Sequence, residues 1–140
     1  MWTENSNGNN QPTDYKYRSV TVNLSDKTIH IEEKNCETID EFLGGIGRLF
    51  KVLANYDVSN AFDSSAPLVM ELGCFSGTNV MTGLRTFFGG YSPLKSTRKG
   101  APSAMWSAGS GKFGTKIAGT GIDEIIFLGK SDVPLTLVIQ

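Results

Sequence analysis

Residues that could bind an anionic ligand are concentrated in one stretch of the chain, from Glu71 to Gly121. Between Leu72 and Ile122 the sequence has eleven of its 16 glycines and no Asp or Glu. The same segment contains six basic residues, which are Arg85, Lys95, Arg98, Lys99, Lys112 and Lys116. Net charge is −5 over residues 1–71 (six basic, eleven acidic), +6 over this segment and −2 over residues 123–140 (one basic, three acidic), which sums to −1.

A basic, glycine-rich segment without acids is typical of an anion site, because unpaired N–H groups and cationic side chains both attract negative charge. Gly109-Ser110-Gly111 precedes a predicted short helix, an arrangement suited to phosphate binding. A β-rich core segment with turn glycines and solvated lysines would have a similar composition. The residues favour the anion site and leave that alternative open.

Metal binding and nucleophilic catalysis have little support in the rest of the sequence. Two cysteines, Cys36 and Cys74, and one histidine, His30, cannot form a zinc site or a four-cysteine iron–sulfur cluster. We expect His30 to be an ordinary surface residue and Cys74 to be a structural thiol buried at a strand end. No serine has a histidine partner in a nucleophile motif.

Adjacent acidic residues are interpreted as structural charges at the ends of strands and at the start of a helix. These pairs are Glu32-Glu33, Asp40-Glu41 and Asp123-Glu124.

Two other kinds of anion site fit less well. Gly109-Ser110-Gly111-Lys112-Phe113-Gly114 has the spelling of a dinucleotide fingerprint, but its helix is too short and no βαβ crossover surrounds it. Basic residues alternate with aromatic ones as in nucleic-acid-binding proteins, yet the net charge is −1. We therefore expect no nucleic-acid partner.

Hydrophobic periodicity predicts the elements that must position these residues. Residues 18–24 and 28–32 alternate with period two around a Ser-Asp-Lys turn, which predicts a β-hairpin. Thr38 and Glu41 form a capping box for a helix that ends near Ala54-Asn55. Glycines inside this helix, including Gly44-Gly45, predict close packing of its backbone on another element, and the alternative is that they let a ligand approach.

Shorter elements are predicted after this helix. Strands are expected at Leu68–Leu72, from Thr78 or Asn79 to Phe88 where Gly89-Gly90 ends the segment, at 101–108, at 123–128 and at Pro134–Ile139, with a short helix near 110–118. The prediction is an α+β fold, with mostly antiparallel sheets, one main helix and one short helix.

Length and composition predict one globular domain. With 140 residues, 39% hydrophobic and 19% charged, the chain can bury a core without cross-links. Residues 1–16 are expected to form a flexible tail and residues 17–140 the domain. Neither a signal peptide nor a membrane-spanning run is visible, so we expect a cytoplasmic protein without membrane contact.

An ordered series of motifs carries a family resemblance. It begins with Val-x-Leu-Ser-Asp-Lys-Thr-Ile-x-Ile-Glu-Glu in the hairpin and continues through the run of glycines from Gly44 to Gly47. The later motifs are Gly77-Thr78, Thr82-Gly83-Leu84-Arg85, Ser92-Pro93-Leu94, Ser110-Gly111-Lys112-Phe113-Gly114, Ala118-Gly119, Ile122-Asp123-x-Ile125-Ile126 and Gly129-Lys130-Ser131. The series resembles the start of the N-terminal domain of the aldehyde ferredoxin oxidoreductase family.

The resemblance implies binding of a tungsten or molybdenum pyranopterin cofactor, with phosphates held by backbone amides, a basic side chain and a magnesium ion. It implies cofactor contacts from Arg85, Thr78 and the consecutive residues Gly109, Ser110, Gly111 and Lys112, and no catalytic residue on this chain. The chain matches about two-thirds of the family's N-terminal domain. It would therefore be at most a subunit of an aldehyde ferredoxin oxidoreductase-like oxidoreductase.

Two positions depart from the family pattern, and two roles follow. Ala108 stands where the family has a loop asparagine, and Tyr91 where it has a lysine before Ser-Pro-Leu. The favoured function is a stand-alone subunit or carrier for the cofactor. The alternative is a non-catalytic scaffold or regulatory module that lost it. Expected partners are a second copy in a homodimer or larger oligomer, or a catalytic oxidoreductase subunit.

Overall fold

The structure is a computed structural model that describes residues 16–35, 44–81 and 83–139. Its strands are β1 (Lys16–Asn23), β2 (Thr28–Asn35), β3 (Leu68–Leu72), β4 (Thr86–Ser96), β5 (Pro102–Gly109) and β6 (Glu124–Leu128), and its helices are α1 (Gly45–Leu53) and α2 (Lys112–Ala118). The strands form one sheet in the order β2-β1-β6-β3-β4-β5. β1 and β6 are parallel, whereas the other four neighbouring pairs are antiparallel. The predicted α+β class is confirmed.

β1 and β2 form the predicted hairpin. Val20 lies opposite Ile31 and Val22 lies opposite Ile29, so the alternating apolar residues share one side of the sheet. Lys27, in the turn, has φ 55°, the left-handed conformation that tight hairpin turns use.

α1 begins at Gly45, later than predicted. Gly44 has φ 70° and ψ −167°, which is not helical, and it forms an isolated antiparallel bridge with Gly73. The prediction of one continuous helix from the capping box is therefore wrong, while Thr38 and Glu41 themselves lie outside the described residues. The predicted close backbone packing is confirmed at Gly45, where an added Cβ would lie 2.9 Å from Phe87 Cε2.

β4 differs most from its prediction. It starts at Thr86 after a segment of turns, so the expected strand from Thr78 or Asn79 is wrong over most of its length. It also continues through Gly89-Gly90, so neither glycine ends β4. A Cβ on Gly89 would overlap the buried Leu49 of α1, so a glycine at this position allows the helix to pack on the strand.

The two helices pack on opposite faces of the sheet. Adjacent strand residues point to opposite sides, and each helix contacts a different alternating set of them. On the α1 face, Leu49 and Leu53 contact Val69 and Ile126. On the α2 face, Ile117 packs with a cluster that includes Val20, Met70, Leu72 and Ile125. β5 and α2 form close to where the sequence predicts them.

The C-terminal segment is not the strand that its apolar sequence predicts. Residues 134–139 form neither a strand nor a helix, and Leu135 and Leu137 are exposed. Ile139 packs partly against the core of the α2 face. β6 already has a neighbour on each side, β1 and β3, so a hairpin partner for it has no place in this sheet.

Candidate functional site

Five of the six predicted cofactor residues lie together at one end of β4 and β5. Thr86 pairs with Gly109, so Arg85 lies beside the four consecutive residues Gly109–Lys112, which we call the glycine turn. The Arg85 side chain is exposed. Its carbonyl oxygen accepts hydrogen bonds from Gly73 N at 2.9 Å and from Ser76 Oγ at 3.1 Å, which fixes the backbone that carries the guanidinium.

The glycine turn leaves its backbone open. A Cβ built on Gly109 or on Gly111 would meet no described atom within 4 Å. Gly111 has φ 95° and precedes α2, and within the described part of the chain no side chain caps the helix there. Backbone groups of this turn are thus accessible to a molecule outside the protein, and Lys112 adds an exposed positive charge beside them.

Gly114 allows α2, the helix that follows the glycine turn, to pack closely on the sheet. A Cβ on Gly114 would lie 2.8 Å from Thr86 Oγ1 and 2.9 Å from Leu84 O, so the helix backbone lies directly on the start of β4. Ile117 anchors the next turn of the helix in the core. The position of the glycine turn therefore depends on tight packing of α2.

Thr78 is placed differently from the other five residues. Its hydroxyl donates to Phe75 O at 2.7 Å and accepts from Val80 N at 3.2 Å, so it serves the turn that contains it. The adjacent Gly77 lies against Ala118, at the far end of α2 from the glycine turn.

The two positions that depart from the family pattern have structural roles. Tyr91 Oη donates to Leu53 O at 2.7 Å and lies 3.0 Å from Tyr56 O, which ties β4 to the end of α1. Ala108, in β5, lies opposite Phe87 of β4 and is half-buried.

Cys74, predicted to be buried at a strand end, is instead exposed in the turn after β3, so that prediction is wrong.

A buried group of charges on the α1 face was missed from the sequence. Glu71 and Glu124 lie directly opposite each other on β3 and β6, and both are fully buried. Arg48 reaches them from α1, with Nε 3.6 Å from Glu71 Oε1 and 3.5 Å from Glu124 Oε2. Its guanidinium also lies 3.7 Å from the centre of the Tyr17 ring. Glu71 could have been noticed as the single acid within the apolar run Leu-Val-Met-Glu-Leu.

The pKa values of the two carboxyls in this charge group shift in opposite directions. Burial, and then the neighbouring Glu124, raise the pKa of Glu71 well above its usual range. Burial alone would also raise the pKa of Glu124, but hydrogen bonds from Glu71 and Ser19 and the charges of Arg48 and Lys34 lower it below its usual value. Tyr17 Oη donates to Glu71 Oε2 at 2.5 Å. A proton is therefore held more tightly by Glu71 than by Glu124, and the carboxylate of Glu124 faces Arg48.

The cavity beside this cluster is too small for an organic ligand. It has a volume of about 30 Å³ and lies between Tyr17, Gly44, Gly73, Ser76 and Asp123, among others. Such a space fits a single water molecule. The exposed glycine turn and Arg85, rather than the buried charges, are therefore the candidate ligand site.

Comparison with known sequences identifies the family. The sequence model described as "Aldehyde ferredoxin oxidoreductase, N-terminal domain" matches residues 19–140. The chain belongs to this family. Tungsten-containing aldehyde ferredoxin oxidoreductases of Pyrococcus horikoshii and Pyrococcus abyssi are each 33% identical to it over 128 residues, which are 90% of this chain. The chain spans 20% of the length of each of these relatives.

A solved structure has the same fold as this aldehyde ferredoxin oxidoreductase N-terminal domain. The active-site complex BamBC of benzoyl coenzyme A reductase, solved with 1,5-dienoyl-CoA, matches 84% of this chain and 18% of the other chain, with a TM-score of 0.74 and 23% identity. The family and the fold implied by the sequence resemblance are thus confirmed.

Two further features concern the domain's surroundings. Among the residues described, no helix has the length and apolar character needed to cross a membrane. Nor do any three His, Cys, Asp or Glu side chains in those ranges lie together as a metal-ligand cluster.

Proposed function

We propose that this chain is a cofactor-holding subunit or carrier that binds a tungsten or molybdenum pyranopterin at the glycine turn. The observation that carries the proposal is the open backbone of Gly109 and Gly111 next to two exposed cations, Arg85 and Lys112. Because the surrounding sequence from residue 73 to residue 121 contains no acid, the attraction for an anion is not opposed locally.

Each part of the site has a role that suits its chemistry. Arg85 would contact a phosphate, since its planar guanidinium can donate two parallel hydrogen bonds. Backbone N–H groups of the turn and the ammonium of Lys112 would hold further anionic oxygens. When bound, such a cofactor supplies the redox-active metal. Because the dithiolene sulfurs of the pterin serve as metal ligands, no Cys or His from this chain is required.

Support also comes from the relatives, two of which are named as tungsten-containing enzymes. The chain corresponds to one fifth of their length, so any oxidoreductase activity would require residues beyond those of this domain. A magnesium ion that would help to hold the phosphates is part of the proposal.

A second candidate function is a scaffold or regulatory module that keeps the fold without the cofactor. Tyr91 favours it, because this residue replaces a family lysine and its hydroxyl is used internally by Leu53 and Tyr56. In that case the glycine turn would be a surface feature without a ligand.

Purification without air from the native host, followed by elemental analysis for tungsten and molybdenum, separates the two functions. Pterin fluorescence after acid oxidation gives an independent measurement on the same sample. We expect one metal and a stoichiometric amount of pterin. Protein that contains neither would overturn the cofactor proposal and favour the scaffold.

Two substitutions then test the site itself. Arg85→Ala should lower cofactor occupancy, whereas Arg98→Ala, an exposed arginine beyond the opposite end of β4, should leave it unchanged. Gly109→Ala should also lower occupancy, because its methyl group would occupy the space of the ligand, with Ser107→Ala in the same strand as the control. Equal occupancy in Arg85→Ala and Arg98→Ala would show that Arg85 is only a surface charge.

A further inference from the structure

Within the part of the chain that the structure describes, the outer edge of β2 is unpaired, and the strand has exposed apolar side chains. β2 is the first strand of the sheet, and no described residue pairs with its outer side. Ile29 and Ile31 are 68% and 61% exposed, although such side chains are normally buried. Long apolar edge strands readily pair with another strand, so natural proteins usually protect them.

Both isoleucines point to the α2 face. Ile29 lies opposite Val22 and Ile31 lies opposite Val20, and both valines belong to the hydrophobic cluster of that face. The exposed isoleucines thus extend the hydrophobic layer of the α2 face onto the edge strand β2. A strand added to this edge would cover them and extend the same hydrophobic layer.

We propose that β2 pairs with β2 of a second copy of this chain, antiparallel about a two-fold axis at His30, to give a continuous twelve-stranded sheet. A two-fold axis perpendicular to the sheet preserves its faces, so residues opposite each other must share a face. With the axis at His30, Ile29 of each copy lies opposite Ile31 of the other. Thr28 of each copy lies opposite Glu32 of the other. Continuing the same register brings Lys27 near Glu33 of the other copy.

Neighbouring registers are less favourable. An axis at Ile31 would place Ile29 opposite Glu33, and an axis at Ile29 would place Ile31 opposite Lys27 and Glu32 opposite Asp26. Among these three, only the axis at His30 places both isoleucines opposite isoleucines and Lys27 opposite an acid. Register is strongly specified by such patterns, because a shift places unlike side chains together on the buried face.

Disulfide trapping tests the register directly. In a background in which Cys36 and Cys74 are replaced by serine, His30→Cys would place two thiols opposite each other across the axis, within the Cα separation that a disulfide spans. Mild oxidation should convert most of this variant into a covalent dimer on a non-reducing gel. Thr28→Cys is the matched control, since its twin would lie four residues along the strand, or about 13 Å away, beyond the reach of a disulfide.

Light scattering on the native sequence tests the association itself. We expect a dimer at micromolar concentration, and Ile31→Lys should raise its dissociation constant at least tenfold. Met105→Lys, at an exposed apolar position on the opposite edge strand β5, should not. The proposal is overturned if the unmodified chain is a monomer, if Met105→Lys alone dissociates the dimer, or if both cysteine variants cross-link equally. Cofactor content does not enter these measurements, so they are independent of the proposed function.

Discussion

Two regions of the molecule carry charge in opposite ways. Under α1, Arg48, Glu71 and Glu124 are buried, close together and neutralised by one another. At the glycine turn, Arg85 and Lys112 are exposed, and the local sequence contains no acid. Glycines follow the same division, because a Cβ would collide with neighbours at Gly45, Gly89 and Gly114 but meets nothing at Gly109. The first kind of residue maintains the fold, and the second is available for a ligand.

Removing the buried cation should have the largest effect. Arg48→Met leaves the ionised Glu124 carboxylate buried without its counter-charge, so we expect a loss of about 3–5 kcal/mol in the free energy of unfolding. Urea denaturation at neutral pH measures it. Lys51→Met, at an exposed position on the same helix, should change stability by about 0.5 kcal/mol or less. Equal effects of the two substitutions would contradict the interpretation of the cluster as a coupled group.

Adding a methyl group where α2 packs on the start of β4 should have the next largest effect on stability. Alanine is normally preferred to glycine in a helix, but a methyl group on Gly114 would press on Thr86 Oγ1 and on the Leu84 carbonyl. We expect Gly114→Ala to lower the free energy of unfolding by about 1–3 kcal/mol, as overpacked cores do. An increase in stability would show that helix propensity outweighs this contact.

The raised pKa of Glu71 predicts a pH dependence of stability with a definite sign. Above the usual carboxyl range the unfolded Glu71 is ionised while the folded one remains protonated, so its contribution to stability falls as pH rises. A glutamine at this position stays neutral in both states. The Glu71→Gln variant should therefore lose less stability between pH 5 and pH 8, by at most about 1.4 kcal/mol per pH unit. Thermal denaturation at a series of pH values tests this.

Glu33→Gln provides the opposite control for that experiment. Hydrogen bonds from Arg18 and Lys16 lower the pKa of Glu33, so its contribution is complete above the usual carboxyl range and is lost as pH falls. Its variant should therefore show no change of slope between pH 5 and pH 8. A parallel shift of both curves would mean that Glu71 holds no proton in the folded protein.

The smallest effect is expected at the glycine turn. Gly109→Ala adds a methyl group in open space at a residue without positive φ, so the free energy of unfolding should change by about 0.5 kcal/mol or less. Stability that is unchanged while cofactor occupancy falls would sharpen the contrast with Gly114. A large destabilisation would place Gly109 with the structural glycines instead.

The sequence predicts elements that local patterns determine. The β1–β2 hairpin follows from β-branched alternation around a turn, and the buried strands β3 and β6 follow from short apolar runs. The family motifs also single out Arg85 and the glycine turn as cofactor contacts, although only the β4–β5 register shows that the two are adjacent.

Features that depend on tertiary contacts could not be predicted in this way. Gly89 resembles a strand terminator until Leu49 is known to pack on it, and Glu124 resembles a strand-end charge until its register places it opposite Glu71. The expected strand at 134–139 fails because apolar composition predicts a strand without showing whether the sheet has an edge for it.

The position of β6 has a consequence for the order in which the protein can be made. β6 is the last of the six strands in the sequence, yet it lies between β1 and β3 and is the neighbour that joins the N-terminal hairpin to the rest of the sheet. During synthesis, the hairpin must wait for almost the whole domain to leave the ribosome before it can dock. Glu124, the acid at the start of that strand, completes the buried charge group at the same moment.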